Sequence, residues 1–167
     1  MGYSSSGHIA YHYDAFGNKI EMVEAAGIEG QERHTQYSYD LDNRVIQITD
    51  AMGGITQYQY DALNNQTQIT DANGGIQHNI FDTIGRLVST LSAGGILTTN
   101  TYDIRGNILS TTQSFANGSD ARTTRYTYDI SDRKTSVTDA EGFTTSIQYD
   151  IFVGTSHSAR STIAPSV

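Results

Sequence analysis

Arg44-Val45-Ile46-Gln47-Ile48-Thr49-Asp50-Ala51-Met52-Gly53-Gly54-Ile55-Thr56-Gln57-Tyr58-Gln59-Tyr60-Asp61 is the stretch on which the fold turns. Residues 44–49 are rich in β-branched side chains and alternate with period two, which predicts a strand. Asp50-Ala51-Met52-Gly53-Gly54 reads as a turn, because Asp accepts local backbone hydrogen bonds and Gly supplies a positive φ. Ile55–Tyr60 reads as a second strand. Tyr58 and Tyr60 are two apart and so share a face. Asp61-Ala62-Leu63-Asn64-Asn65 closes the stretch as another turn, where Asn tolerates the left-handed conformation.

The same grammar recurs along the chain. Tyr13-Asp14, Tyr39-Asp40, Tyr60-Asp61, Phe81-Asp82, Tyr102-Asp103, Tyr128-Asp129 and Tyr149-Asp150 follow one another at intervals of 26, 21, 21, 21, 26 and 21 residues. The two long intervals carry five extra residues, assigned to loops at 27–31 and 116–120. An earlier aromatic stands two before the main one at Tyr11, Tyr37, Tyr58 and Tyr126. Turn residues stand four after it (Gly17, Asn43, Asn64, Gly85, Gly106, Asp132), and Asn or Arg stands five after it. Positions seven and nine after are mostly apolar or β-branched, as in Ile46 and Ile48. Gly recurs fourteen after, as in Gly53 and Gly74. Self-similarity at a fixed period marks a repeat architecture.

Each repeat therefore predicts two short strands and two turns, and six repeats predict roughly a dozen strands. Short connections make successive strands antiparallel. The expected fold class is all-β, a repetitive antiparallel β-meander forming a curved, twisted sheet. Its expected core is a ladder of Tyr, Ile and Leu on one face, with Thr, Gln and Ser on the other. The expected organisation is a leader at 1–10, an array at 11–152 and an aperiodic Ser/Thr-rich tail at 153–167, where Val153 breaks the turn pattern.

Composition fits that reading. The chain has 167 residues, 37% of them apolar, with one Pro and no Cys or Trp. A repeat buries one face mainly on its neighbours and needs few apolar residues. Absence of Cys excludes disulfides and thiolate metal sites. The net charge of −8 argues against nucleic acid as a partner, which needs a basic face. No run of the sequence approaches the ~18 apolar residues of a membrane-spanning helix. The N-terminus has neither the basic start nor the apolar centre of a signal peptide. Met1-Gly2 with Ser6 fits a myristoylation pattern only loosely.

Tyr11-His12-Tyr13-Asp14-Ala15-Phe16-Gly17-Asn18, followed by an apolar strand and, in later copies, by Asp-Ala-x-Gly, resembles the YD repeat of RHS-repeat proteins. The resemblance runs from about Tyr11 to Asp150. It implies a β-ribbon spiralling into a hollow shell, of which this chain would be a partial wall. In bacterial polymorphic toxins and insecticidal toxin complexes such shells enclose a C-terminal toxin domain, and in teneurin-like proteins a related shell serves adhesion. The partners so implied are neighbouring YD-repeat segments, an enclosed toxin domain or glycans, and self-association follows from uncovered sheet edges. The related full-length proteins are extracellular or at the cell surface. The sequence lacks the core motif and self-cleaving aspartates that close the family's repeat region.

No catalytic, cofactor or metal constellation accompanies the repeat. His8, His12, His34, His78 and His157 show no metal-ligand spacing. The turn aspartates could line up oxygens for Ca²⁺, but no EF-hand or Gly-rich nonapeptide loop is present, and Asp in turns normally serves backbone donors. Ser131-Asp132-Arg133-Lys134 matches Ser-x-x-Lys but lacks its companion motifs and falls where the repeat needs a turn. Asn65-Gln66-Thr67 and Asn117-Gly118-Ser119 are glycosylation sequons. The expected role is a non-enzymatic structural segment. The alternative is a carbohydrate- or surface-binding module using the repeat aromatics. The residues expected to matter are structural: Tyr13, Asp14, Gly17, Tyr39, Asp40, Tyr60, Asp61, Phe81, Asp82, Gly85, Tyr102, Asp103, Gly106, Tyr128, Asp129, Tyr149 and Asp150.

Overall fold

A computed structural model describes residues 7–149 and 160–163, all strand, turn or connection without a helix. The strands are β1 (His8–Tyr13), β2 (Lys19–Ala26), β3 (Arg33–Tyr39), β4 (Val45–Thr49), β5 (Ile55–Tyr60), β6 (Gln66–Thr70) and β7 (Ile76–Phe81). They continue as β8 (Leu87–Leu91), β9 (Ile96–Tyr102), β10 (Ile108–Phe115), β11 (Arg122–Tyr128), β12 (Lys134–Thr138), β13 (Thr144–Gln148) and β14 (Arg160–Ile163). The chain divides into two compact parts, Met1–His78 and Asn79–Val167. In each part every strand pairs antiparallel with the next one in sequence, so each is an open meander of all-β structure. β1 begins inside the stretch read as leader, and β14 lies in the stretch read as tail, paired with β13. Val153 and Asp150 lie outside the described residues.

β5 has the bounds read from the sequence, whereas β4 starts at Val45 and leaves Arg44 to the turn. The five extra residues of each long interval only partly enter loops. β2 and β10 have eight residues where β4, β6, β8 and β12 have five. The extra length is absorbed where hydrogen bonds can be made.

One local device repeats at each described turn of the Tyr-Asp or Phe-Asp kind. At Tyr39-Asp40, the Asp40 N–H donates to Arg44 O (3.0 Å), the Asn43 N–H donates to Asp40 O (3.1 Å), and Asn43 has φ 60°. This is a three-residue hairpin loop, a type I turn followed by a left-handed residue. The strand then bulges. Ser38 faces Gln47 but Tyr39 faces Val45, so Ile46 is an extra residue. The same shift leaves out Ile20, Thr67, Leu109 and Thr135. A bulge increases the local right-handed twist.

The bulge decides which residues face one another. The pairings set position six opposite the main aromatic and position nine opposite the earlier one, as in Tyr60 with Gln66 and Tyr58 with Ile69. Exposure alternates accordingly in β5, where Thr56, Tyr58 and Tyr60 are half-buried and Ile55, Gln57 and Gln59 are exposed.

The expected core ladder is also corrected. Among the described residues only Val23 and Ala26 are buried, while Tyr60 and its equivalents Tyr39, Tyr102, Tyr128 and Tyr149 are half-buried and Tyr13 is exposed. Among the described residues each part is a single sheet with no second layer over its aromatic face, so side chains are covered sideways by their strand neighbours. Tertiary stability must then come from that lateral contact, as in other repeat arrays.

Candidate functional site

The residues expected to matter converge on a row of cross-linked turns. Asp61 shows the pattern. Its Oδ1 accepts the N–H groups of Leu63 (2.8 Å) and Asn65 (2.9 Å), and its Oδ2 accepts the Asn65 side-chain amide (2.9 Å). Asp14 and Asp103 are bound in the same way by Asn18 and Asn107. At Asp40, Asp82 and Asp129 the fifth residue is Arg, which donates through Nε at 2.7, 2.6 and 2.7 Å. The opposite turns repeat the design with Asp50, Asp71 and Asp139, and Ser92 substitutes in one of them. These carboxylates are committed to turn donors, and among the described residues no group of three or more His, Asp or Glu is arranged to hold a metal.

Hydrogen bonding holds six of these carboxyls below their ordinary value of 3.8. The main cause is the Asn18, Asn65 and Asn107 side chains at Asp14, Asp61 and Asp103, and the Arg133 side chain at Asp129. At Asp40 and Asp82 it is the backbone N–H of Arg44 and Arg86. A lowered folded-state pKa contributes stability that is fully present above the unfolded value and is lost as pH falls through the folded one. The array should therefore hold constant stability from neutral pH down to about 5 and lose it progressively below about 4. Urea melts across that range check the sign, and a chain that gained stability on acidification would contradict it.

At Asn18, Arg44, Arg86 and Asn107 the fifth residue also links its turn to the next. Arg44 Nη1 donates to Asp61 O (3.1 Å) and Asn64 Oδ1 (2.7 Å), and its guanidinium lies 4.8 Å from the Tyr60 ring centre. Arg86 reaches Asp103 O (3.0 Å) and covers Tyr102 at 4.7 Å. Asn18 donates to Asn43, and Asn107 to Asp132. Lysine cannot reproduce this planar fork. Arg44→Lys should cost about 1 kcal/mol and narrow the gap to Arg44→Ala, as read from denaturant midpoints.

The aromatic hydroxyls complete the lattice. Tyr39, Tyr60, Tyr102, Tyr128 and Tyr149 donate to the carbonyls of Lys19, Val45, Leu87, Ile108 and Lys134 at 2.6–3.0 Å. Each acceptor is the first strand residue after the preceding Tyr-Asp turn. Phe81 has no hydroxyl to offer. Lys19 lies over Tyr37 at 4.2 Å, Lys134 over Tyr126 at 4.3 Å, and Arg133 over Tyr149 at 4.5 Å. Gly17, Gly85 and Gly106 hold φ values of 87°, 83° and 96° at the turn corners.

The sequence reading singled out the aspartates, aromatics and corner glycines but not the tyrosine hydroxyl bonds or the cation cover. A signal for the cover was present. Arg44, Arg86 and Arg133 each stand sixteen residues before Tyr60, Tyr102 and Tyr149. The histidines do not join the lattice. His34 Nδ1 meets Glu21 Oε1 at 3.0 Å and His12 lies 4.0 Å from the other oxygen, an exposed cluster between β1, β2 and β3. Ser131 is a turn residue whose N–H donates to Asp129, and Lys134 is engaged on Tyr126, so the Ser-x-x-Lys match has no catalytic geometry. His157 lies outside the described residues.

These features define an all-β repeat array with cross-linked turns. The family model described as RHS Repeat matches residues 39–76 of it. Solved structures share the fold. A crystal structure of TcdB2-TccC3 with Cdc42 aligns over 86% of this chain and 11% of that chain, with 16% identity and a TM-score of 0.55. A Photorhabdus luminescens Tc holotoxin pore with a mutant TccC3 aligns over 94% of this chain and 12% of that chain, with 16% identity and a TM-score of 0.55. The chain thus spans about a ninth of the length of these structures. No curated protein matches the sequence. Among the described residues no helix is long and apolar enough to cross a membrane.

Proposed function

We propose that this chain is a wall segment of an RHS/YD-repeat shell, with a mechanical and not a catalytic role. The observation that carries the reading is the staple between successive turns, in which Tyr hydroxyls and the side chains of Asn18, Arg44, Arg86 and Asn107 tie one repeat to the next. Such a lattice resists shear between strands. Enclosure of a C-terminal toxin domain, export and a cell-surface location are part of this proposal, by analogy with the structures it resembles. Sequencing the DNA on both sides of the reading frame tests it. Further Tyr-Asp units at 21- or 26-residue spacing are expected, and unrelated genes on both sides would overturn it.

One observation favours the glycan reading. Open grooves of about 340 and 350 Å³ recur at equivalent places, one lined by Phe16, Ile20 and Tyr37 and the other by Arg105, Leu109 and Tyr126. Both lie at the 26-residue intervals. Titrating polysaccharides against tyrosine fluorescence tests this reading, and a flat response to all of them would sink it.

A further inference from the structure

Where Arg stands fifth after the aromatic, its guanidinium lies over the ring of the next repeat: Arg44 over Tyr60, Arg86 over Tyr102 and Arg133 over Tyr149. Arg44 shows the full set of partners. Its Nε donates to Asp40 Oδ2 (2.7 Å) in its own turn, and its Nη1 donates to Asp61 O (3.1 Å) and Asn64 Oδ1 (2.7 Å) in the next. A guanidinium in this place thus meets a carboxylate, an aromatic ring, a turn carbonyl and a corner side chain. Arg86 repeats three of these contacts with Asp82, Tyr102 and Asp103 O. Asp61 O and Asp103 O also accept the turn N–H of Asn64 or Gly106 (3.2 Å), so one carbonyl serves both donors.

The first interval has the same partners without the guanidinium. Asp14, Tyr39, Asp40 and Asn43 stand where Asp40, Tyr60, Asp61 and Asn64 stand one repeat later, but Asn18 replaces Arg44. All five line the open groove of about 340 Å³ within Met1–His78. The Asn18 amide reaches Asp14 Oδ2 (3.0 Å) and Asn43 Oδ1 (2.8 Å) and goes no further. Asp40 O accepts the Asn43 N–H (3.1 Å) and, among the described residues, no second donor. Asp40, Asp82 and Asp129 are each paired with an arginine, whereas the side-chain partner of Asp14 is the neutral amide of Asn18. Lys19 lies over Tyr37 and Tyr11, and no described cation lies over Tyr39. The corresponding groove in Asn79–Val167 also follows an Asn, and there the chain supplies a guanidinium from the turn tip. Arg105 Nη1 donates to Ile130 O (3.1 Å) and lies 3.4 Å from Asp132 Oδ1. Phe16 stands at the position of Arg105 in the first groove.

We infer that the first groove binds an arginine side chain of a partner polypeptide, stacked on Tyr39 and donating to Asp40 O beside the Asp14 carboxylate. The chain's own arginines define the ligand, because they fill the equivalent places one repeat later and in the second part. Charge is complementary, since the chain carries −8 and hydrogen bonds from Asn18 keep Asp14 ionised at neutral pH. Phe16 and Leu41 leave exposed apolar surface at the groove, which suits an arginine next to an apolar residue. Lysine fits less well, because an ammonium has no planar face to stack and no fork to share between acceptors. The inference goes beyond the wall-segment reading and does not depend on it.

Acetyl-leucyl-arginine amide titrated into the isotope-labelled full chain tests it. Saturable amide shifts are expected at residues 14–18 and 39–43, with a Kd on the order of 1–10 mM for so small a probe. The matching lysine peptide should bind about fivefold more weakly and the glutamine peptide about tenfold. Added salt should weaken the arginine peptide. Asn18→Arg should supply the guanidinium from within, as Arg44 does one repeat later, and so reduce peptide binding about tenfold while raising the urea midpoint. Asp14→Asn keeps a turn acceptor and removes the charge. It should weaken binding about threefold, and it repeats the test if the Asn18→Arg spectrum is not that of a folded chain. Equal binding of the three peptides, shifts confined to other turns, or unchanged binding in the folded variants would overturn the inference. So would a spectrum unshifted at about 50 mM peptide. A polysaccharide that shifts these amides where the arginine peptide does not would give the groove to a sugar and overturn it as well. None of these outcomes bears on the wall reading, which the flanking DNA tests separately.

Discussion

Tyr60→Ala is expected to destabilise the chain by about 2–4 kcal/mol. The ring is half-buried, so the loss falls below the full cost of a buried aromatic. It is raised by two contacts beyond area: the hydroxyl bond to Val45 O at 2.8 Å and the Arg44 guanidinium 4.8 Å from the ring centre. Tyr60→Phe separates these terms. It keeps the ring and the cation contact and should cost about 0.5–1.5 kcal/mol, the net worth of one hydrogen bond. Urea unfolding of both variants checks the pair. A Tyr60→Ala loss under about 1 kcal/mol would remove the ring from the set of stabilising residues, since a part-buried aromatic should exceed it.

Gly85→Val is expected to cost about 2 kcal/mol or more through the backbone. Gly85 sits at φ 83°. The cost is the strain of an L-residue, β-branched, in the left-handed region. Gly85→Asn should cost far less. Asn43, Asn64 and Asp132 occupy the equivalent corner with φ values of 60°, 67° and 59°. The turn therefore relaxes by about twenty degrees to accept a polar L-residue. Thermal melts of Gly85→Val, Gly85→Ala and Gly85→Asn should fall in that order, the valine lowest. Equal melts for valine and asparagine would show that the corner is not what fixes the hairpin.

Much of the fold was legible because the repeat states its rules several times over. One Asp at a turn is ambiguous, but Asp14, Asp40, Asp61, Asp82, Asp103 and Asp129 at one place in the period identify its purpose. Their shared role as acceptors for the residues two and four ahead is local chemistry. Local hydrogen bonds depend on sequence neighbours, so the chain order reveals them. The bulge was not legible. Ile46 looks like any strand residue, and only pairing with β3 shows that it has no opposite number. The consequence is a changed face for every residue between it and the turn.

The sequence by itself therefore determined the all-β class, the antiparallel order, the turn positions and the corner residues, because each follows from contacts spanning five residues or fewer. Tertiary structure decided what those elements rest on. It replaced the expected packed aromatic core with half-buried rings held by hydroxyl bonds and cations, as at Tyr60, and it turned Leu41 and Ile130 outward at the tips. The physical reason is the layer count. Side-chain alternation tells which face an aromatic takes, but whether a second layer covers that face is not encoded in the strand. With no such layer among the described residues of either part, the tyrosines find their partners sideways, one repeat away, where only three-dimensional pairing brings them together.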